Sequence, residues 1–359
     1  MKLPLLNYQQ SQVNIYQCPI IEKKSPFKSQ KSMFNKELTD LSAENYSLKK
    51  NTYTNRKTDG LMFFKSNFKV NCIVAFKKRN CMVIAGMDCE IIIYDYETNK
   101  KVASVLGHNK GILCLDLDCT EEFLMSGSLD HSIRISNLSE KNPSSYEIGR
   151  HKGAVNCLKV DWVRKKVVSW GKDFSICIWD ITTKALEAEL FLDQQEYSSL
   201  VFFSPTKIFA SSVSGNIHSY CLDLETNSIQ KSEEIISTKH KKTINCILFF
   251  NNTKRIASGS SDKTIRIVNL EDNCEILSLT GHKSPIISMA ISNDDIYLIS
   301  GDQWGKTNIW NLNTIKLIKV IDDHQGFITS IVLDYEKKIL IIGGADFCCG
   351  VWDFKKLIM

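Results

Sequence analysis

Five of the seven histidines in this 359-residue chain stand just before a strand-like run, and their spacing is nearly regular. His108, His151, His240, His282 and His324 are separated by 43, 89, 42 and 42 residues, so the long interval hides one further unit. Cysteine gives the same measure independently: Cys72, Cys114, Cys157 and Cys246 lie 42, 43 and 89 residues apart. The Cys72 phase adds a unit ahead of His108, which brings the count to seven. A period of this length is that of a four-stranded blade, which cannot bury its faces alone and must stack against its copies.

The stretch His151 to Asp180, HKGAVNCLKVDWVRKKVVSWGKDFSICIWD, is the fullest copy. Val155–Val160, Lys166–Trp170 and Ser175–Trp179 read as three strands, each rich in β-branched or aromatic residues and separated by polar connections. Gly107-His108 and Gly281-His282 recur in phase with Trp179-Asp180 and Trp352-Asp353, and Tyr94-Asp95 and Trp310-Asn311 are near matches to the second pair. On these motifs the chain resembles the WD-repeat (WD40) family over about residues 61 to 359. The resemblance implies an all-β, seven-bladed β-propeller as a single domain and says little about function.

In that family a turn Asp, the His of Gly-His, a second-strand Ser or Thr and the Trp form a buried hydrogen-bonded chain. Carried over to blade three, the set is Asp173, His151, Ser169 and Trp179. Its recurrence with the blades argues for structural glue rather than a hydrolase triad, because a catalytic site is needed once. Blade two keeps His108, Ser126 and Asp130 with Ser136 for Trp, and blade five keeps His240, Ser258 and Asp262 with Val268 for Trp. Blade four lacks the set, with Ser214 and Tyr220 at the Asp and Trp positions. Blade six has His282, Ser300 and Trp310 but Trp304 where the turn Asp is expected, and blade seven keeps His324, Asp346 and Trp352. Blade three is therefore expected to hold the one complete lock, and blade four to be the most weakly locked.

The last repeat ends a few residues beyond Trp352-Asp353, so its outer strand is expected from the other end of the chain, at about Leu61 to Phe64. Such closure removes two free sheet edges. Residues 1 to 60 form a polar, mostly irregular N-terminal extension, with Lys36 to Lys50 as a candidate short helix carrying Leu38, Leu41 and Leu48. Residues 1 to 67 hold eleven Lys and Arg against five Asp and Glu, a net +6; the whole chain is +5, which leaves the propeller near −1. The basicity thus belongs to the extension, either a solvated tail or an arm that docks on a partner.

Thirteen cysteines without a CxxC pair, four of them in one repeating inner-strand position, read as reduced, mostly buried thiols. No Gly-rich phosphate loop, metal-ligand cluster or acid-base pair outside the blade motif is present, so no catalytic residue, cofactor or metal is assigned and no enzyme is expected. No apolar run is long enough for a membrane helix. A cytoplasmic or nuclear location is expected, with a mitochondrial transit peptide left open because residues 1 to 21 lack both acids and arginine.

The register implied by the resemblance also sets a rim, made of the residues flanking each turn Asp, where many WD-repeat proteins hold partners. Met87, Leu129, His131, Phe174, Trp304 and Phe347 form a large apolar and aromatic arc there, on blades six, seven, one, two and three. Two readings of that arc stand: a partner-binding patch, or side chains folded inward where lock residues are missing. The expected function is a non-catalytic scaffold or adaptor binding protein partners through the top rim and the extension, as a subunit of a larger assembly. The alternative is a component of an RNA-processing or other ribonucleoprotein particle, which the arginine-poor extension disfavours.

Overall fold

The computed structural model describes residues 62–140, 143–192, 197–204, 206–212, 214–223 and 225–359. Within them lie seven four-stranded antiparallel sheets, six built from consecutive strands and one that joins the first strand of the chain to the last three. The expected extension, its candidate helix at Lys36 to Lys50 and the boundary near residue 60 lie outside the described residues.

Blade three shows why these residues make blades. Its strands are Val155–Asp161, Lys166–Gly171, Ser175–Asp180 and Leu186–Phe191, counted from the ring axis outward. The first three are buried almost throughout and read as near-continuous apolar runs, whereas the outer strand is part exposed. The core therefore lies between blades: Met125 and Ile133 of blade two pack with Val155, Leu158, Val167 and Trp179 of blade three. Close contact of this kind needs small residues, and a Cβ on Gly127 would stand 2.6 Å from Val155 Cγ1. At the matching register of blade three stands Trp170, paired with Cys157 and packed against Ile208, Ala210 and Tyr220 of blade four.

A bulge near the start of most inner strands adds a second connection between blades. The extra residue escapes the ladder and reaches sideways. Asn71 Nδ2 donates to Ile112 O at 2.9 Å, Asn245 Nδ2 to Ile286 O at 2.8 Å, and Thr329 Oγ1 to Val70 O at 2.8 Å. The last of these spans the junction between blade seven and blade one.

That junction is closed by the strand Met62–Lys65, which pairs antiparallel with Cys348–Asp353 in the register Met62↔Val351 to Lys65↔Cys348. It lies one residue later than Leu61 to Phe64, and Leu61 itself is outside the described residues. Ser66 N donates to Phe347 O at 2.7 Å, and the Phe64 ring lies 4.1 Å from that of Tyr94 in blade one. Removal of residues 1–66 strips a ladder and reopens two edges. At about 3 kcal/mol for the lost ladder, the melting temperature should fall by roughly 6–12 °C. Differential scanning calorimetry checks this, and an unchanged melt would reject closure by this strand.

Candidate functional site

Each blade presents two connections at one end of the ring: the loop entering its inner strand and the turn between its second and third strands. The two are tied together by Lys172 N donating to Ala154 O at 2.7 Å, Ser261 N to Thr243 O at 2.9 Å and Ala345 N to Phe327 O at 2.8 Å. Beneath them sits the lock. In blade three Trp179 Nε1 donates to Ser169 Oγ at 2.8 Å, Ser169 Oγ lies 2.7 Å from His151 Nε2, and His151 Nδ1 lies 3.1 Å from Asp173 Oδ2. Only one proton arrangement satisfies all four groups: the indole can only donate and the carboxylate can only accept, so the hydroxyl proton points at Nε2 and Nδ1 carries the other. Asp173 also accepts from Lys152 N at 2.7 Å, which fixes the loop to the turn.

The same His–Asp contact closes at 3.0 Å in blade two (His108, Asp130), 2.8 Å in blade five (His240, Asp262) and 3.0 Å in blade seven (His324, Asp346). Blade seven carries Ile342 at the register of Ser169, so its second strand offers no hydroxyl between His324 and Trp352. Blade four has neither His nor Asp at the lock positions; Ser212 Oγ and Ser214 Oγ meet at 2.6 Å instead.

Blade six departs from expectation. Its lock is complete: His282 Nδ1 lies 3.1 Å from Asp302 Oδ2, His282 Nε2 lies 2.7 Å from Ser300 Oγ, and Trp310 Nε1 donates to that oxygen at 2.9 Å. Blade three is therefore not the one complete blade. The carboxylate comes from the last strand residue rather than from the turn two positions on. Blade three shows why this substitution works: a Cβ on Gly171, the matching strand residue, would fall 2.5 Å from Asp173 Oδ1 and 2.7 Å from His151 Nδ1. A side chain rooted there reaches the same point, and residue 304 is released from the lock. The SGDQWG sequence carried the signal, two residues away from where it was sought.

Released in this way, Trp304 is 62% exposed, and Met87 in blade one is 47% exposed. Leu129, His131, Phe174 and Phe347 are partly exposed at the same end of the ring. Trp304 thus does not fold inward. His131, Phe174 and Phe347 have φ of 75°, 62° and 68°, a left-handed conformation that blades four and six give to Gly215 and Gly305.

Among the described residues no group of three or more His, Cys, Asp or Glu is placed to hold a metal ion. Burial pushes the Cys177 thiol up to about 12 and those of Cys72, Cys157 and Cys246 well above the ordinary range, so these sulfurs remain protonated. No helix of the described residues is long and apolar enough to cross a membrane.

The locks predict an acid response. Burial alone would raise the lock carboxylates, but hydrogen bonds from Thr264 and His240 bring Asp262 down to about 2, and those from His151 and Ser175 hold Asp173 far below the usual range. Their stabilisation is complete above the ordinary value of 3.8 and is lost as pH falls through the folded values. Burial lowers His240 below 6.5, so folding favours its neutral form and stability begins to fall as pH drops through that value. The melting temperature should decline modestly from pH 7 to 5 and steeply below about 4; a rise on acidification from 7 to 5 would contradict this assignment. Ser169→Ala should cost more than Ser126→Ala by about 1–3 kcal/mol in urea unfolding, because only the first orphans a buried indole N–H. Equal losses would show that the indole bond carries no weight.

The model for the WD domain, G-beta repeat, matches residues 99–136, 233–269, 273–311 and 315–353. Each match starts near an outer strand and ends in the third strand of the next blade, an offset that explains why the ring must be closed by a strand from elsewhere in the chain. The chain is 25% identical over 244 residues to apoptotic protease-activating factor 1 of Rattus norvegicus, covering 65% of this chain and 19% of that protein. It is 24% identical over 245 residues to mitochondrial division protein 1 of Saccharomyces cerevisiae, covering 65% and 32%. It is 23% identical over 256 residues to eukaryotic translation initiation factor 3 subunit I of Culex quinquefasciatus, covering 70% and 66%. The matched part thus spans less than two thirds of the length of each of these relatives. The chain thus carries WD40 repeats, four of them matched, within a seven-bladed β-propeller whose His–Asp locks recur from blade to blade.

Proposed function

We propose that this propeller is a non-catalytic adaptor that holds a protein partner on its lock-bearing rim, as a subunit of a larger assembly. The observation that carries this reading is the exposure of Trp304 and Met87 beside the left-handed Phe174 and Phe347. A large residue at positive φ costs about 1–2 kcal/mol relative to glycine. Blades four and six avoid that strain with glycine, whereas blades three and seven place an aromatic side chain at the same turn. Large exposed apolar side chains on a rigid frame are what a binding hot spot requires. The twelve described cysteines are all free, which fits a reducing compartment. The extension, residues 1–60, is proposed as a second and separable contact.

The double substitution Trp304→Ala with Phe347→Gly tests the rim. Hot-spot loss of about 2 kcal/mol should cut partner retention roughly 30-fold in co-purification with mass spectrometry. The melting temperature should stay within about 2 °C, because glycine relieves the strain at position 347. Retained proteins should survive nuclease treatment. Full retention by the folded double variant would reject the patch.

A further inference from the structure

The rim carries exposed cations as well as apolar groups. Lys152 and Lys172 of blade three, Lys241, Lys242 and Lys263 of blade five and Lys283 of blade six are all exposed there. They stand on the two connections that the backbone bonds of Lys172 to Ala154, Ser261 to Thr243 and Gln303 to Pro285 hold side by side. None of the six forms an ion pair among the described residues. Cations elsewhere commonly do: Lys101 with Glu90 at 2.6 Å, Lys159 with Asp116 at 2.6 Å, Arg266 with Glu275 at 2.6 Å and Arg164 with Asp161 at 2.9 Å.

Among the described residues the nearest carboxylates are occupied by the fold; Asp193 and Glu196, which lead into blade four, lie outside them. Asp173 and Asp262 serve the locks and accept the backbone N–H of Lys152 at 2.7 Å and of Lys241 at 3.1 Å, so each lock fixes the loop that displays its lysine. Among the described residues the other rim acids include Asp88, exposed in blade one, and Asp322, which is bonded at 2.9 Å to Lys306 of blade six; Lys110 is a further exposed rim cation, in blade two. With residues 1–67 at +6 in a chain of +5, the propeller has no bulk basicity. Lys152 Nζ lies 5.2 Å from the centre of the Phe191 ring and keeps its charge; a cationic arc without ion pairs on a near-neutral body is a directed field.

We propose that this lysine arc docks an acidic stretch of a protein partner, its carboxylates over blades three, five and six and an apolar side chain on Trp304. The inference rests on the protein-binding reading of the same rim and adds the chemistry of the partner. The free cations of the arc are lysines; Arg150, two residues before Lys152, is paired with Glu147 at 2.9 Å. Phosphate recognition favours the planar, bidentate guanidinium, whereas solvated carboxylates need only point charges. The arc also sits beside the exposed Trp304 and Met87, which suits a peptide with an apolar anchor.

The test uses the full chain, with binding read by fluorescence anisotropy at physiological salt. The probes are a labelled peptide of alternating Glu and Asp with one central Phe, its Gln and Asn counterpart, and a single strand of thymidine nucleotides. The variant Lys152→Glu/Lys241→Glu/Lys263→Glu should weaken the acidic peptide by at least about tenfold. A control with the same charge change at the opposite end of the ring, Lys77→Glu/Lys78→Glu/Lys100→Glu, should change it less than about twofold. Unchanged melting temperatures establish that both variants fold. Absence of peptide binding, equal losses in the two variants, or tighter binding of the nucleotide strand than of the acidic peptide would overturn the proposal. In co-purification, partners lost by Trp304→Ala but kept by the rim-lysine variant would reject the acidic partner and leave the protein-binding rim standing. Partners lost by the lysine variant but kept by Trp304→Ala would reject the apolar anchor on Trp304 and leave the acidic docking standing.

Discussion

The contact on which this rim depends is the buried imidazole–carboxylate pair beneath it. An imidazole has two nitrogens with opposite duties, and each is assigned: Nδ1 faces an aspartate, and Nε2 faces a serine hydroxyl in blades two, three, five and six. In blades three and five the aspartate also holds the first backbone N–H after the histidine, so one side chain fastens a loop to a turn. Desolvating such groups is costly unless they are satisfied; blades two and five dispense with the indole and blade seven with the hydroxyl, but all three keep the imidazole–carboxylate contact. Its product is a fixed spacing of connections around the ring.

Fixed connections allow local strain and local variety. The aromatic residues at positive φ persist because the turn is over-determined by bonds below it, and the loops can carry lysines because their backbone, not their side chains, holds them in place. Blade four, with a serine pair in place of the lock, has less to hold its turn. The ring therefore divides into five blades braced by an imidazole–carboxylate pair and two, blades one and four, without it; Trp304 and the exposed lysines of the arc stand on braced blades, and Met87 stands on blade one.

Much of the fold was legible from one-dimensional spacing. A period near 42 residues in two unrelated residue types fixes the number of blades, and the want of a final outer strand points to closure by the other end of the chain. The candidate site was harder to read. Asp302 was missed because a motif reading counts positions, whereas the imidazole responds only to where the carboxylate arrives; a strand-end root and a turn root bring it to the same point. The bulge residues Asn71, Asn245 and Thr329 gave no signal of their sideways bonds, because an extra residue in a ladder shows only in the register.

Net charge misled in a similar way. A propeller near −1 looks neutral in sequence, and lysines scattered from residue 152 to residue 283 look like ordinary surface. Folding brings the same loop and turn of successive blades to one end of the ring, where the exposed lysines of blades three, five and six come to lie. The sequence by itself determined the repeat, the blade count and the residue types available for each lock, because these follow from periodicity and hydrogen-bonding capacity along the chain. Which carboxylate closes blade six, whether Trp304 faces inward or outward, and how charge is sorted between faces were decided only by the tertiary structure, because each depends on distances between residues that the chain places far apart.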